Sequence, residues 1–458
     1  MRFAELERAD VAIWGYGREG RSVLAALRRR FPDKPLALYC GRDEVEAARV
    51  HGGADLHVIG VAPDAAALSA HDVVIKSPGI SAYKPEILAA RERGVRITSG
   101  TALWFGENVS GRSGDARVVA VTGTKGKSTT TALIAHLARA LRVRTALAGN
   151  IGLPLLDLDG QHAGLWTIEL SSFQTGEAGP LELGVVVSLA EEHLDWHGTR
   201  ERYIADKLKL ADVSRTLLVD AETPLLMQRT AAHPRRKTFG DAAGWHVENG
   251  WITYGGERVF EVASLPLHGA HNAHNACAAL AAIELLGLDA RAAAPALAVF
   301  KPLPHRLTSL GVRGGIEWID DSISTTPDAA LAALESLGGR EVTLILGGHD
   351  RGLDWSGFAR SLQADAPHAI IAQGAAGSRI ARTLRGAGLA FAVEEAADLS
   401  SAVAYARKTT PQGGVVLLSP GAPSFDQFRN YAERGRVFAE LAGFDGDAIG
   451  EITGLGIS

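Results

Sequence analysis

Short apolar runs recur along this chain, each closed by a glycine or proline turn and followed by an Ala/Leu-rich amphipathic stretch. The runs at 11–14, 35–39 and 71–76 come first, and the last leads into Ser77-Pro78-Gly79-Ile80. Further runs lie at 117–121, 165–170 and 183–189, with helical patterns at 127–141, 200–211 and from His271 onward. A third set at 316–320, 341–346, 369–373 and 414–419 alternates with Ala-rich helices. Strand, turn and helix in alternation predict parallel sheets with crossover helices, an α/β protein.

Punctuation divides the pattern into three segments. The stretch 108–116 (NVSGRSGDA) is polar and glycine-rich, as a linker or surface loop would be. Residues 232–256 are polar and turn-rich, and Pro302-Leu303-Pro304 marks a further break. The expected domains are therefore 1–98, 99–301 and 302–458, in keeping with a length of 458 residues, which exceeds one ordinary core.

Composition removes several classes of function. A formal net charge of −5 leaves no basic footprint for nucleic acid. The two cysteines, Cys40 and Cys277, lack metal-ligand spacing and suit a reducing cytoplasm. The opening residues MRFAELERAD carry charge and no apolar core, unlike a secretory signal, and no apolar run is long enough to span a bilayer. A cytoplasmic protein with no membrane or nucleic-acid partner is expected.

The run Thr122-Gly123-Thr124-Lys125-Gly126-Lys127-Ser128-Thr129 joins a predicted strand to a predicted helix. Glycines let backbone N–H groups close around phosphate oxygens, and the helix N-terminus adds partial positive charge. Lys127 is placed for the β- and γ-phosphates of ATP, and Ser128 or Thr129 for Mg²⁺. The strict pattern would put glycine at 121, where Val121 stands. An earlier turn, Gly15-Tyr16-Gly17-Arg18-Glu19-Gly20, satisfies GxGxxG, but Tyr39-Cys40-Gly41-Arg42 follows the next strand where a dinucleotide site wants an acid. NAD is disfavoured, leaving a Rossmann-like turn for another phosphate ligand or a structural turn. Glu169 ends a strand, as a carboxylate ligand for Mg²⁺ would. His193 reads as a second ligand or a surface histidine, and Lys207 alone reads as a solvated lysine.

These pieces form one ordered set: TGTKGKST, Gly149-Asn150-Ile151-Gly152, Glu169-Leu170-Ser171-Ser172-Phe173-Gln174, Glu192-His193-Leu194-Asp195, Ala205-Asp206-Lys207, His271-Asn272-Ala273-His274-Asn275, Pro304-His305-Arg306 and Asp320-Asp321-Ser322. The set resembles the Mur ligases of peptidoglycan synthesis, and the chain resembles the MurD type most along nearly its whole length. The resemblance implies an N-terminal Rossmann-like domain, a central P-loop ATPase-type domain and a C-terminal Rossmann-like domain. It implies ATP-dependent addition of glutamate to UDP-N-acetylmuramoyl-L-alanine through an acyl phosphate. Lys127, Ser128 and Thr129 would hold phosphates and Mg²⁺. Glu169 would bind the first of two Mg²⁺ ions and His193 the second, with Lys207 carbamylated as a further oxygen ligand. Asn272, Arg306 and Asp321 would contact adenine, phosphate and ribose. Gly15, Gly17, Ser77, Pro78, Gly79, Asn150 and Ser171 would hold the uridine diphosphate substrate.

The amino-acid pocket departs from the family pattern. D-glutamate-adding members carry lysine in Asp-Ser-Lys-Ala-Thr, whereas this chain reads Asp321-Ser322-Ile323-Ser324-Thr325. Arg351 stands where a further family lysine is usual, and Tyr431 where phenylalanine is usual, with Ser424 retained. Arginine clamps a carboxylate with two parallel hydrogen bonds, as lysine cannot. The chain resembles the branch that adds L-glutamate, which a separate epimerase then inverts; the competing expectation is D-glutamate. A monomer is expected. The remoter alternatives are a folylpolyglutamate synthase-like ligase and a regulatory P-loop ATPase.

Overall fold

The apolar strands of the first segment are buried on both faces, as helices on either side of a parallel sheet require. The computed structural model describes residues 1–53, 55–109, 117–189, 194–267, 269–363, 366–450 and 452–458. In it β1 (Val11–Trp14), β2 (Leu36–Tyr39), β3 (Leu56–Ile59), β4 (Val73–Lys76) and β5 (Arg96–Thr98) run parallel in the order β3-β2-β1-β4-β5. The order reverses between β1 and β4, whose carboxyl ends therefore flank a crevice. Strands β3 and β5 escaped the sequence reading because they are short and carry polar residues.

The second sheet is built from β6 (Arg117–Thr122), β7 (Thr145–Gly149), β8 (Leu165–Glu169), β9 (Leu181–Val186), β10 (Ser214–Asp220) and β11 (Arg236–Phe239). These are parallel, in the order β11-β10-β9-β6-β8-β7. The stretch 232–256, expected to be turn-rich, instead contributes β11 and part of a small antiparallel sheet. That sheet comprises β12 (His246–Glu248), β13 (Trp251–Tyr254) and β14 (Glu257–Glu261). Its first hairpin turns at Asn249-Gly250, both at positive φ, the geometry that matches strand twist. The stretch 108–116 begins at the last residue of the helix Gly100–Asn108, and 110–116 lie outside the described residues.

The third sheet takes β15 (Thr308–Arg313), β16 (Ile316–Asp320), β17 (Val342–Gly347), β18 (Ala369–Gln373), β19 (Ala392–Ala396) and β20 (Val415–Leu418) in the order β15-β16-β20-β17-β18-β19. Only β15 is antiparallel, joined to β16 at Gly314-Gly315. The chain thus belongs to the α/β class with parallel sheets.

Two compact units emerge. One comprises Met1–Leu265, His271–Phe300 and Gly454–Ser458 and contains the first two sheets. The other comprises Pro266–Ala270 and Lys301–Thr453 and contains the third. The closing residues, expected in the third segment, return to the first unit, where β21 (Gly456–Ile457) pairs antiparallel with β7. Among the described residues no helix is long and apolar enough to cross a membrane.

Candidate functional site

The phosphate loop is held by backbone. β6 ends at Thr122, and the helix Lys127–Ala140 starts with Gly126 at φ +81 and no side-chain cap. A glycine N-cap brings no side chain of its own to the helix N-terminus, the end of a helix that favours an anion. A Cβ on Gly126 would collide with the Asn275 amide, so glycine is required on both backbone and steric grounds. The Thr124 N–H donates to the Ser188 carbonyl at 3.1 Å and the Lys125 N–H to Ser188 Oγ at 2.8 Å. Lys127 Nζ donates to the Thr124 carbonyl at 2.8 Å, which curls the side chain back over the loop. Ser128 and Thr129 are buried in the first turn of the helix.

The acidic group expected beside this loop stands there. Glu169 ends β8, in register with Val121 of β6, and is 1% exposed. Asn150 Nδ2 donates to its Oε1 at 2.7 Å, so two residues expected in different roles are one pair. Glu169 Oε2 and Thr122 Oγ1 are buried and have no hydrogen-bond partner among the described residues. Buried oxygens without donors, at the ends of adjacent strands, suit a hard cation such as Mg²⁺. Ser171 donates through both its N–H (3.2 Å) and Oγ (2.8 Å) to Gln174 Oε1.

Lys207 is not the solvated lysine that its helix would suggest. It lies 2% exposed on the helix Arg200–Asp212, with Nζ 4.8 Å from the Tyr203 ring centroid. Tyr203 Oη shares a 2.8 Å hydrogen bond with Thr124 Oγ1, which ties the lysine's helix to the phosphate loop. Its neighbour Asp206 accepts from His197 Nδ1 (2.7 Å), Lys209 Nζ (2.6 Å) and Tyr83 Oη (2.7 Å). Burial alone would raise the Asp206 carboxyl, but these hydrogen bonds outweigh it and hold the group below the usual carboxylate range. Burial and the same contact push the Tyr83 phenol up to about 12. His193 lies outside the described residues.

Gly15 and Ser77 meet at the crevice between β1 and β4. Gly15 sits at φ +99, and a Cβ there would stand 2.6 Å from Ser77 Oγ. Gly17 and Gly79 face open space, and the Pro78 carbonyl accepts from Trp196 Nε1 at 3.1 Å. A different cluster, Asp220, Glu222 and His274, has metal-like composition, yet Asp220 accepts from His274 Nε2, Thr223 Oγ1 and the Glu222 N–H. It serves as an ion pair that closes a turn.

In the second unit the expected residues stand on loops leaving neighbouring strands. Asp321, Ile323 and Thr325 follow β16, Ser424 follows β20, and Arg351 follows β17. The His349 N–H donates to the Pro423 carbonyl at 2.8 Å, which joins the last two loops. Arg306 lies between His305 and Leu307, both non-glycine residues at positive φ. Such backbone is strained by about 1–3 kcal/mol per residue and needs an external hold. His305 Nδ1 contacts Asp320 Oδ2 at 2.6 Å, and the Leu307 N–H donates to Asp321 Oδ1 at 3.2 Å. Asp321 also accepts from Ser324 and Ser419 hydroxyls, and burial pushes its carboxyl up to about 6.

Several residues were missed as site supports. Arg434 is 0% exposed and donates to Ser322 Oγ (3.0 Å), the Ser322 carbonyl (2.8 Å) and the Ala422 carbonyl (3.0 Å). The Ser322 hydroxyl in turn donates to the Tyr431 carbonyl at 2.8 Å. Arg434 thus clamps two of the loops just described, those after β16 and β20. Burial lowers its guanidinium to about 10, still a cation at neutral pH. Its signal was an arginine four residues before Phe438 on the apolar stripe of the helix Tyr431–Ala442. Asn275, Tyr203 and Ser188 had no such signal, because their partners are distant in sequence.

Comparison with known proteins shows the family. One family model, the Mur ligase middle domain, matches residues 121–283, and another, the Mur ligase, glutamate ligase domain, matches residues 305–421. A UDP-N-acetylmuramoyl-L-alanine--L-glutamate ligase of Xanthomonas euvesicatoria is 48% identical over 100% of both chains. The solved UDP-N-acetylmuramate-alanine ligase MurC of Thermotoga maritima aligns with a TM-score of 0.60 at 20% identity, over 94% of this chain and 99% of that one. The MurF ligase of the same organism, in complex with ADP, aligns at 0.58 with 17% identity over 94% of each chain. At these identities the two structures share the fold.

Proposed function

The chain belongs to the Mur ligase family, enzymes that form amide bonds at the expense of ATP, and from that premise we propose that it joins L-glutamate to UDP-N-acetylmuramoyl-L-alanine. The observation that carries the chemistry is the buried Glu169 carboxylate, one oxygen held by Asn150 and the other without a donor among the described residues, on the strand beside the one that enters the phosphate loop.

A carboxylate is a poor electrophile and must be activated. The L-alanyl carboxylate oxygen forms a bond to the γ-phosphorus of ATP as the bond to the β–γ bridging oxygen breaks and ADP leaves. The glutamate amine then adds to the acyl carbon, phosphate departs with the electron pair, and the amine loses its proton. The loop N–H groups of residues 123–129 and Lys127 cradle the phosphates. Ser128, Glu169, His193 and a carbamylated Lys207 would hold two Mg²⁺ ions, which supply charge neutralisation on the transferring phosphoryl group. Burial of Lys207 favours that modification, since it replaces a desolvated cation by an oxygen ligand. Asn150 fixes Glu169, and Ser171 with the Gly15 and Ser77–Gly79 crevice orients the uridine diphosphate substrate. Asn272, Arg306 and Asp321 take adenine, phosphate and ribose.

The choice of isomer rests on Thr325, Arg351, Ser424 and Tyr431 around Ile323. Without a lysine at 323 the glutamate carboxylates turn to Arg351, whose fork fixes both oxygens of one group. The full-length 48% likeness to an enzyme named for L-glutamate supports this reading. We read three domains, 1–98, 99–301 and 302–458, acting as a cytoplasmic monomer, with a separate epimerase to invert the added residue.

The test is glutamate-dependent ADP release with UDP-N-acetylmuramoyl-L-alanine and each isomer in turn. Turnover with L-glutamate is expected. Turnover with D-glutamate alone overturns the isomer, and no dependence on either overturns the reaction.

A further inference from the structure

The first unit contains a cavity of about 450 Å³, within the range of small-molecule sites. None of its described lining residues belongs to the set assigned above to ATP, metal or the uridine diphosphate substrate. It lies beside the carboxyl ends of β4 and β5, and among the described residues none of β1 or of the turn 15–20 lines it, although its Trp196 donates to the Pro78 carbonyl at 3.1 Å.

The cavity is lined by an ammonium group whose hydrogen-bonding capacity is unused. Lys76, the last residue of β4, is 3% exposed, and its Nζ has no hydrogen-bond partner among the described residues. An ammonium has three donors, and leaving them unused in a buried place is costly. Lys76 forms an ion pair with Glu177 Oε1 at 3.6 Å, longer than a good hydrogen bond, while Glu177 Oε2 is taken by the Ser99 hydroxyl at 2.6 Å. Burial pushes the Glu177 carboxyl above its usual range despite Lys76, which weakens it as a counter-ion.

The rest of the lining includes an aromatic pair that offers apolar ring surface. Phe173 and Trp196 stack with centroids 4.6 Å apart and planes 21° apart, and Lys76 Nζ lies 5.8 Å from the Trp196 centroid. Arg91 adds a further cation. Lys209 also lines the cavity, but its charge is spent on Asp206. One underused ammonium matches a single negative charge better than a phosphate dianion, which would need several donors converging on it.

We propose that this cavity is a second ligand site that takes a small aromatic carboxylate, its anionic end on Lys76 and its ring against Phe173 and Trp196. The ligand would lie against Ser172 and Asp206, the two residues that hold His197, and so beside the helix that carries Lys207.

Isothermal titration calorimetry of the full chain with 2-naphthoate tests this, with 2-naphthamide as the uncharged analogue and inorganic phosphate as the non-aromatic anion. Naphthoate should bind at least about tenfold more tightly than either. Lys76→Met should weaken it by at least about tenfold while Lys76→Arg retains it. Ala102→Trp, which fills the cavity and spares the lysine, should abolish binding with an unchanged circular dichroism spectrum, and decides the matter if the Lys76→Met protein does not fold. Binding should persist under saturating ATP and uridine diphosphate substrate. No naphthoate binding, binding indifferent to Ala102→Trp, equal binding of phosphate, or displacement by substrate would each overturn the proposal.

Discussion

The phosphate loop and the loops around Ile323 solve the same problem, a fixed surface for a charged ligand, by opposite means. The first is one contiguous stretch whose own backbone does the positioning. Gly126 turns the chain into the helix Lys127–Ala140, and Ser188 pins two loop amides. The second is assembled from segments a hundred residues apart, and buried side chains hold it. Arg434 clamps Ser322 and Ala422, and His305 on Asp320 holds a turn with two residues at positive φ. A backbone cradle costs little to desolvate, because its amides belong to a helix end. A cradle of side chains buries a cation and two neighbouring carboxyl groups, so its stability depends on every partner. Damage to the first region should therefore remove activity and spare the fold, and damage to the second should loosen the fold of its own unit as well.

The sharpest test is Lys127→Ala. Glutamate-dependent ADP release should fall by about 10³-fold or more, with little change in the thermal midpoint. A loss of only a few-fold would detach the loop from phosphoryl transfer. Next comes Arg434→Met, which leaves the Ser322 and Ala422 carbonyls without their donor. The second unit should lose about 3 kcal/mol or more, read as faster amide hydrogen exchange in β16 and β20 with β6 unaffected. Equal loosening of both sheets would erase the contrast.

Titration of Asp321 gives a smaller effect with a definite sign. Its folded pKa of about 6 lies above the ordinary 3.8, so the folded state keeps the proton longer. Stability from this group is full below the unfolded value and is lost as pH rises from there through about 6, by ~3 kcal/mol. Asp321→Asn should flatten that part of the urea midpoint against pH between about pH 4 and 6; an unchanged slope would assign it to other groups. The smallest effect is expected of Thr130→Val, which removes a 3.4 Å hydrogen bond to Asn275 Oδ1 behind the phosphate loop. It should cost about 1 kcal/mol or less, and a larger loss would show that this cradle also leans on side chains.

What could be read without the structure follows the same division. Strands β1, β16 and β18 matched their apolar runs residue for residue, because a strand buried on both faces has no choice of composition. The phosphate loop was legible because its chemistry needs particular residues at adjacent positions. Strands β11 to β14 were not legible: they are short and partly exposed, and Asn249-Gly250 reads as a loop until its flanking strands are known.

By itself, then, the sequence determined the α/β class and displayed the phosphate loop and a carboxylate, Glu169, at a strand end, since each is written in local spacing; Lys207 stood out only through the family resemblance. Only the tertiary structure decided that Lys207 is buried behind Tyr203 rather than solvated, that Asn150 and Glu169 form one pair, and that Arg434 holds the loop of Ile323. Each of these depends on a partner that pairing of distant strands and packing of distant helices bring near. A hydrogen bond between residues 112 positions apart leaves no period or spacing in the chain from which to read it.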